Sequence, residues 1–301
     1  MFNIKKTYQI FLLLLLLNNQ NNILSYNNHR ETSAPYISGD SFRAIAHYIY
    51  DETNQSLKGE HIKPKSIIFV KTDYLKKFFT TIHPTIPHKY ILITHNSDYG
   101  SPAEFVKYLE DEKLYKWFGQ NPTIMHHEKF TAIPIGIANK MWGHGNTAIF
   151  NHALHANVKQ SQYLLGINFS VGTRPNVRQY VYNLFHSKQF CKNIGSPDLF
   201  TYLVNMKKTQ FILSPRGNGL DCHRTWEALL MGTIPILQHS NMDEILSDLP
   251  VLIVNQWSDI TEDFLKEQYD YIKNNFTKYN HSKIRFEYWQ KLIENTLKIM
   301  E

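Results

Sequence analysis

The chain has 301 residues, a net charge of +6 and a hydrophobic content of 43%, and 14% of its residues are aromatic. This length is sufficient for two domains with a core each, and the apolar content excludes an intrinsically disordered chain. Lysine and arginine are spread along the chain without polybasic blocks, and no zinc-finger spacing or RNA-binding aromatic motif is present. The positive charge therefore favours an anionic small molecule over nucleic acid as the ligand.

A short apolar run lies close to the N-terminus. Lys5 and Lys6 precede the run from Tyr8 to Leu17, and an Asn-rich polar tract follows it. A helix needs about 20 apolar residues to span a bilayer, and this run is about half that length, which is typical of a signal peptide. Because no clear cleavage site follows, an uncleaved short signal-anchor is the alternative. We therefore expect residues 1–30 to be a signal peptide or short signal-anchor with a polar linker.

This N-terminal signal predicts that the body of the chain is exported or lumenal. In a eukaryote it would lie in the secretory pathway, as in the Golgi, and in a bacterium it would lie in the cell envelope. Membrane association through the N-terminus is the form of attachment that the sequence allows. The sequence does not indicate an oligomeric state.

From residue 62 onward, short apolar runs alternate with amphipathic stretches, which is the pattern of βαβ units and a mostly parallel sheet. The first half predicts strands at 66–70 and 90–94, a helix at 102–118 with Ser101 as its cap and Pro102 at its first position, a short apolar run at 132–137, and a turn, a helix and a polar connector over 143–160.

The same pattern restarts after residue 160. The second half predicts strands at 163–169, 210–214, 233–237 and 251–254, helices at 175–187 and 196–208, and two further helices after Thr261. We therefore expect an α/β protein with two Rossmann-like domains facing each other across a cleft, residues 31–160 and 161–260, and a C-terminal helical tail over 261–301. A ligand should bind in that cleft, at the carboxyl ends of the strands.

Residues 215–220 form a glycine-rich bend between a predicted strand and a predicted helix that runs from about Cys222 to Met231. Gly217 and Gly219 would allow unusual backbone conformations and a close approach of a ligand. Asp221 would cap the helix, and Gly232 would end it. A helix N-terminus presents unpaired N–H groups and about half a positive elementary charge, which suits a phosphate group.

Cations and one carboxylate surround this predicted helix start. Arg216, His223 and Arg224 add hydrogen-bond donors, and arginine binds phosphate oxygens through two parallel hydrogen bonds. Glu227 lies on the same helix side as His223 and Arg224, where it could accept hydrogen bonds from the hydroxyls of a ribose. The segment thus predicts a clamp for a nucleoside diphosphate. The alternative is an exposed Arg224–Glu227 ion pair beside an ordinary turn.

Two other phosphate motifs fit the bend less well. The Walker motif requires Gly-Lys-Ser/Thr after the glycines, and this bend lacks it. The dinucleotide fingerprint requires Gly or Ala where Cys222 stands, and the motif comes late in the chain.

The segment SPRGNGLDCHRTWEALLMGTIPIL, followed by SDLPVLIVNQWSDIT (247–261), resembles the signature of the exostosin-like glycosyltransferases. In that family a strand, Ser/Cys-Pro-x-Gly, an arginine and Glu-Ala lead to Gly-x-Ile-Pro. Further segments are similar to exported relatives of this family: FVKTDYL (69–75), ILITHNSDYG (91–100), WFGQNP (117–122) and IPIGIANKMWGHG (133–145). The resemblance covers residues 38 to 260.

The resemblance implies a GT-B fold and the transfer of a sugar from a nucleotide-sugar, usually a UDP-sugar, to a glycan hydroxyl. It also implies inversion at the anomeric carbon, no Asp-x-Asp metal site and no cofactor besides the donor; the sequence contains no Asp-x-Asp. Matched by motif, Arg216, Arg224 and Glu227 would hold the donor, with Arg178 as a further diphosphate ligand. The other predicted donor-binding residues are Ser214, Gly217, Asn218, Gly219 and His223.

Inverting transfer also needs a base on the opposite wall of the cleft. The end of the strand at 90–94 offers His95 and Asp98; Asp98 is our first choice, and Asp40 is a further candidate. An ordinary turn in which Asp98 caps a helix is the alternative. The predicted acceptor-binding residues are Asn96, Trp142 and His144, although core packing would explain Trp142 equally well.

Other functions must be weighed against sugar transfer. A nucleotide- or carbohydrate-binding protein with the same fold and no catalysis would share every residue of the clamp. A thiol hydrolase based on Cys222 is a third possibility, because a helix N-terminus lowers the pKa of a thiol. Cys191 and Cys222 could form a disulfide or remain two buried thiols. No metal site is predicted, because the histidine pairs lack zinc-site spacing.

Overall fold

A computed structural model describes residues 30–159 and 161–300, so the predicted signal segment lies outside the described residues except for Arg30. The first half contains a parallel sheet of five strands: β1 (Tyr48–Tyr50), β2 (Ser66–Lys71), β3 (Tyr90–His95), β4 (Leu114–Gly119) and β5 (Phe130–Ala132). The strands follow each other across the sheet in chain order. The predicted strands at 66–70 and 90–94 are confirmed, whereas β1 was not predicted.

The predicted helix at 102–118 is wrong in its second half. The structure has a 3-10 helix at Ala103–Glu110, a turn, and then strand β4 beside β3. Trp117 on β4 is fully buried, and its indole N–H donates to the Thr94 hydroxyl. Burial within the sheet therefore overrides the helical pattern. Ser101 does not cap a helix, because its hydroxyl donates to the carbonyl of Gln120.

The second half contains another parallel sheet of five strands: β6 (Tyr163–Ile167), β7 (Cys191–Asn193), β8 (Thr209–Leu213), β9 (Ile234–Gln238) and β10 (Leu252–Val254). Their order across the sheet is β10-β9-β8-β6-β7. The chain therefore leaves β6 toward one edge and returns on the other side at β8. This reversal is a topological switch point, where open α/β sheets bind ligands beyond the carboxyl ends of the strands.

Helices connect the strands of both sheets. The α-helices are Gly39–Ala44, Leu75–Lys77, Thr147–His155, Pro175–Phe185, Leu199–Lys207, His223–Met231, Asp243–Leu246, Glu262–Asn274 and Phe286–Ile299, and a π-helix at Phe78–Ile82 continues the second of them. We call His223–Met231 the site helix. It ends at Gly232 in the left-handed conformation, with φ of 77°, as predicted.

Two hydrophobic clusters form the core: one contains residues from both halves of the chain, and the other lies within the second half. Trp117 and Phe118 of the first sheet belong to the same buried cluster as Leu203 and Trp226 from helices of the second half. The last helix, Phe286–Ile299, returns to the first half, where the Phe286 ring packs edge-on against Phe42 at 5.3 Å. The boundary near residue 160 stays a prediction, because the structure does not test it.

Within residues 30–159 and 161–300, none of the helices has the length and apolar character that crossing a membrane requires. Cys191 and Cys222 are both free thiols, so the structure has no disulfide between them.

Candidate functional site

Two adjoining cavities lie beyond the carboxyl ends of the strands. The first, which we call the switch-point cavity, has a volume of about 700 Å³ and lies where β6 and β8 end. The second, the first-sheet cavity, has a volume of about 570 Å³ and lies where β2, β3 and β4 end. Asp98, Trp142 and His223 line both cavities. The residues that line the switch-point cavity include seven of the predicted donor-binding residues: Arg178, Gly217, Asn218, Gly219, His223, Arg224 and Glu227.

Arg224 presents a partly unused guanidinium group to the switch-point cavity. Its Nε–H donates to the carbonyl of Asn168 at 2.7 Å, and the group stacks on the ring of Phe169 at 5.5 Å. Its buried Nη1 has no hydrogen-bond partner among the described residues. No carboxylate of the described chain lies within salt-bridge distance, so the predicted alternative of an Arg224–Glu227 ion pair is wrong. An unpaired guanidinium suits an anionic ligand.

Glu227 lies one turn further along the site helix and lines the same cavity. The residue is only 6% exposed, and its Oε2 accepts a hydrogen bond of 3.0 Å from the hydroxyl of Tyr202. Burial, together with the charge of Glu227, raises the pKa of Tyr202 well above its ordinary value, so the hydroxyl stays a donor at neutral pH. A carboxylate can accept several hydrogen bonds, which leaves Glu227 able to bind ligand hydroxyls.

Arg178 binds the main chain of the glycine-rich bend. Its Nε–H and Nη2–H donate to the carbonyls of Arg216 and Pro215, and its Nη1–H donates to the carbonyl of Ser170. Burial and the nearby Arg224 lower its pKa. Since most of its donors already bind the main chain, Arg178 positions residues 215–216 and has little left to offer a diphosphate.

Ser214 and Arg216, which the sequence places in the donor clamp, lie elsewhere. Both line a separate cavity of about 170 Å³ together with Trp257, and neither lines the switch-point cavity. The Ser214 hydroxyl bonds the hydroxyl of Thr225 at 2.9 Å. Neither residue is therefore placed to bind a ligand in the switch-point cavity.

The two glycines of the bend act through close packing. Neither has a left-handed φ; in the described chain only Gly136 and Gly232 do among the glycines. A Cβ on Gly217 would lie 2.9 Å from Nη2 of Arg178, and one on Gly219 would lie 2.7 Å from Nδ2 of Asn121. The expected special backbone conformation is therefore wrong, whereas the close approach is present.

Asp221 joins the site helix to the first half of the chain. It is not the helix cap, which is Cys222. Its Oδ2 accepts hydrogen bonds of 2.8 Å from the N–H of Ile135 and the indole of Trp226, and its Oδ1 accepts one from the N–H of Cys222. Burial raises the pKa of Asp221 to about 6. Instead of capping the helix, Asp221 connects the start of the site helix to Ile135 in the first half of the chain.

His95 lines the first-sheet cavity but has no free ring nitrogen. Its Nδ1 accepts a hydrogen bond of 2.7 Å from the N–H of Asn96, and its Nε2–H donates to the carbonyl of Pro134 at 3.0 Å. Burial lowers the pKa of His95 to about 4. The imidazole is therefore neutral and fully bonded, which is unsuitable for a general base.

Asp98 lies at the boundary between the cavities. It is exposed, and its Oδ2 accepts a hydrogen bond of 3.1 Å from the side-chain amide of Asn218 on the bend. It does not cap the following 3-10 helix, which begins after Pro102 without a side-chain cap. Asp40, the further candidate, is 1% exposed and bonded to Arg30 and Asn96, and burial raises its pKa. Among the predicted bases, only Asp98 reaches both cavities.

The predicted acceptor-binding residues divide between the cavities. Asn96 lines the first-sheet cavity, and its side-chain amide is bonded to Asp40 and Asn139. Trp142 is 60% exposed and lines both cavities, so core packing does not explain it. His144 lines only the switch-point cavity.

A cysteine mechanism has no support in the site. Cys222 is buried, and burial raises the pKa of its thiol, whereas a nucleophilic thiol requires a lowered pKa. Among the described residues, no three His, Cys, Asp or Glu side chains come together as a metal site would require.

Replacing His95 with glutamine should change how stability depends on pH. The folded state lowers the pKa of His95 from 6.5 to about 4, so this group stabilises the fold fully above pH 6.5 and loses that contribution as the pH falls to about 4. The loss amounts to about 3 kcal/mol. Glutamine cannot titrate but can still donate to the Pro134 carbonyl.

Urea unfolding of both proteins at neutral pH and near pH 4 measures this effect. The stability advantage of the wild type over His95→Gln should shrink by about 3 kcal/mol at the lower pH. Asp221 titrates in both proteins, so its contribution cancels in the difference. A pH-independent difference would show that His95 is not held neutral in the folded state.

No family model matches the chain. No curated protein matches it either. Among solved structures, it is similar to the pneumococcal O-GlcNAc transferase GtfA in complex with UDP and GlcNAc, with 11% identity and a TM-score of 0.37 over 77% of this chain. It is also similar to a GtfA/B complex, with 10% identity and a TM-score of 0.37 over 79% of this chain.

The chain spans only 57% and 58% of the lengths of those two chains.

Proposed function

We propose that the chain is an inverting glycosyltransferase that moves a sugar from a nucleotide-sugar, in particular a UDP-sugar, to a glycan hydroxyl. The observation that carries this proposal is the unpaired guanidinium of Arg224 beside the buried carboxylate of Glu227, both lining a cavity at a switch point. A cation for phosphates and an acceptor for ribose hydroxyls, one helical turn apart, match the adjacent diphosphate and ribose groups of a nucleoside diphosphate.

The site helix supports the same assignment. Its N-terminus opens on the switch-point cavity, and the first N–H groups of a helix have no partners within the helix. They favour negative charge at this position. The diphosphate would lie between this N-terminus and Arg224, and the ribose would lie toward Glu227.

The two cavities suggest how the reaction runs. An acceptor hydroxyl in the first-sheet cavity attacks the anomeric carbon of the donor sugar, and the bond from that carbon to the diphosphate oxygen breaks. Asp98 takes the proton of the hydroxyl, and the nucleoside diphosphate leaves with the negative charge. Arg224 and the site helix stabilise that growing charge. Attack from the side opposite the leaving group inverts the anomeric carbon.

The motif resemblance supports the finer parts of the proposal. The family is exostosin-like, the arrangement of the two sheets is of the GT-B type, and the reaction does not depend on a metal ion. The chain is exported or lumenal, either free or attached through its N-terminal apolar run.

Turnover of the full-length chain with a panel of nucleotide-sugars tests the proposal. Release of free nucleoside diphosphate from one donor, faster with a glycan acceptor than without, is the expected result. Tight donor binding without release in the presence of any acceptor would instead identify a non-catalytic binding protein.

Removal of metal ions should leave the reaction rate unchanged. Arg224 and the site helix supply the positive charge that a metal would otherwise bring to the diphosphate. The rate of nucleoside diphosphate release is measured before and after treatment with EDTA. Loss of activity that added Mg²⁺ or Mn²⁺ restores would contradict metal independence.

A further inference from the structure

The two cations of the first-sheet cavity are already paired. Nη1 of Arg30 lies 3.2 Å from Oδ1 of Asp40, and its Nη2 bonds the carboxylate of Glu52. Nζ of Lys71 lies 3.4 Å from the other oxygen of Glu52. Neither cation is therefore free to bind an anionic ligand without giving up a carboxylate partner.

Two carboxylates in the same cavity have no cationic partner. Asp73 and Asp98 both line it, and no cation of the described chain lies within salt-bridge distance of either. In the part of the chain that the structure describes, the carboxylate of Asp98 accepts a hydrogen bond only from the side-chain amide of Asn218. Counted together with Asp40 and Glu52, which pair with the two cations, the cavity and its immediate surroundings contain four carboxylates and two Lys or Arg side chains, which is an excess of negative charge. A ligand with a carboxylate or sulfate group would meet like charges there, which costs binding free energy.

Apolar and aromatic side chains surround the mouth of this cavity. Tyr99, Met141 and Trp142 all line it and are more than half exposed. Exposed side chains of this size usually mark a binding surface when they occur together. Trp142 offers a flat apolar face and an indole N–H, which suits the C–H face and the hydroxyls of a pyranose ring.

Gln120 lines the cavity and has a buried, unused hydrogen-bond acceptor. The residue is 1% exposed, and its Nε2–H donates to the carbonyl of Ser97 at 3.2 Å. Its Oε1 has no partner in the part of the chain that the structure describes. Buried carbonyl oxygens are rarely left unpaired, so we expect Oε1 of Gln120 to accept a hydrogen bond from an O–H or N–H group of a ligand or from a water molecule.

We propose that the first-sheet cavity binds an uncharged saccharide, with Trp142 stacking on the sugar ring and Gln120 accepting a hydroxyl hydrogen bond, and that it rejects uronic acids and sulfated sugars. The assignment of this saccharide as the acceptor rests on the proposed function. Anionic and neutral ligands are therefore divided between the cavities: the phosphates of the donor bind beside Arg224, and the uncharged acceptor binds beside Asp98.

Matched pairs of saccharides test this selectivity directly. Methyl glucoside is compared with methyl glucuronide, methyl galactoside with methyl galacturonide, and N-acetylglucosamine with its 6-sulfate. Ligand-observed NMR titrations use the full-length chain saturated with UDP. Each neutral sugar that binds should have a Kd at least about tenfold lower than that of its anionic partner. Added salt should reduce this difference in affinity, because it screens the repulsion between like charges.

Two variants assign the effect to named residues, each with a matched control. Asp73→Asn removes a free carboxylate and should raise the affinity for the anionic partners, whereas Asp270→Asn, on the helix Glu262–Asn274, should not. Trp142→Ala should weaken the binding of every neutral saccharide. Tyr271→Ala, which removes an equally exposed aromatic side chain, should leave that binding unchanged.

Equal or tighter binding of the anionic partners would overturn the proposal, as would the absence of binding by every neutral sugar. Neutral binding that survives both Trp142→Ala and Gln120→Leu would place the sugar outside this cavity and also overturn it. These are binding measurements, so they do not depend on turnover. Selective saccharide binding without nucleoside diphosphate release would refute the proposed catalysis and leave this inference standing.

Discussion

Replacing Arg224 with alanine is expected to weaken the binding of UDP by about 1.5–3 kcal/mol, the range for hydrogen bonds to charged groups. This corresponds to roughly a ten- to hundredfold increase in Kd. Arg224 lines the switch-point cavity, its Nη1 has no hydrogen-bond partner, and no carboxylate of the described residues lies within salt-bridge distance of its guanidinium group. A diphosphate would supply the missing acceptors, so its affinity should depend strongly on this side chain.

Calorimetric titration of the full-length chain with UDP and with uridine measures the effect. The loss of affinity in Arg224→Ala should be large for UDP and small for uridine, because only UDP has phosphates. The matched control is Arg285→Ala, since Arg285 also stacks on an aromatic ring, Tyr36, but lines neither cavity. Arg224→Lys keeps the charge and loses the planar fork, so its affinity should be intermediate. An unchanged UDP affinity in Arg224→Ala would exclude Arg224 from the phosphate site.

The alternation of apolar runs and amphipathic stretches is sufficient to predict an α/β chain with parallel sheets. Strands such as β2 and β3 are buried on both faces, and such strands appear as continuous apolar runs in a sequence. Strand β4 was assigned to a helix because Leu114, Trp117 and Phe118 recur at helical spacing. Only its pairing with β3, a contact between distant parts of the chain, decides that these residues form a strand.

Seven of the predicted donor-binding residues line one cavity, and most of them are close together in the sequence. The bend, the helix start and Glu227 lie within a few residues of each other, so their spacing defines their geometry. The direction in which Arg216 leaves the bend is not encoded in this way. It depends on Arg178, which binds the carbonyls of Pro215 and Arg216 from another helix.

Residues that act through distant contacts could not be predicted at all. Asp221, in the second half of the chain, accepts a hydrogen bond from the N–H of Ile135 in the first half. The sequence alone suggests only a helix cap at this position. The unpaired Oε1 of Gln120 likewise becomes visible only in three dimensions. For His95, the residue type suggests a base, but its two hydrogen bonds, one of them to distant Pro134, remove that role.

Replacing Asp98 with asparagine is expected to lower kcat by about a hundred- to ten-thousandfold, the usual contribution of a general base. Asp98 is the one predicted base that lines both cavities. Among the described residues, its carboxylate accepts a hydrogen bond only from Asn218, at Oδ2, so its other oxygen is free to take a proton. Asparagine has nearly the same shape but cannot accept a proton from a hydroxyl. The affinity for UDP should stay within about threefold of the wild type, because surface substitutions that remove no ligand contact have small effects.

Initial rates of nucleoside diphosphate release, measured with the most active donor and acceptor, separate kcat from KM for this variant. Asp270→Asn, an exposed aspartate outside both cavities, is the matched control and should retain full activity. A decrease in kcat with unchanged UDP affinity is the signature of a group that acts only in the transition state. If Asp98→Asn instead retains its kcat, the proton must go elsewhere. His95 could not take its place without breaking its bonds to Asn96 and Pro134, so Asp73, the other carboxylate of the first-sheet cavity without a cationic partner, would be the next group to replace.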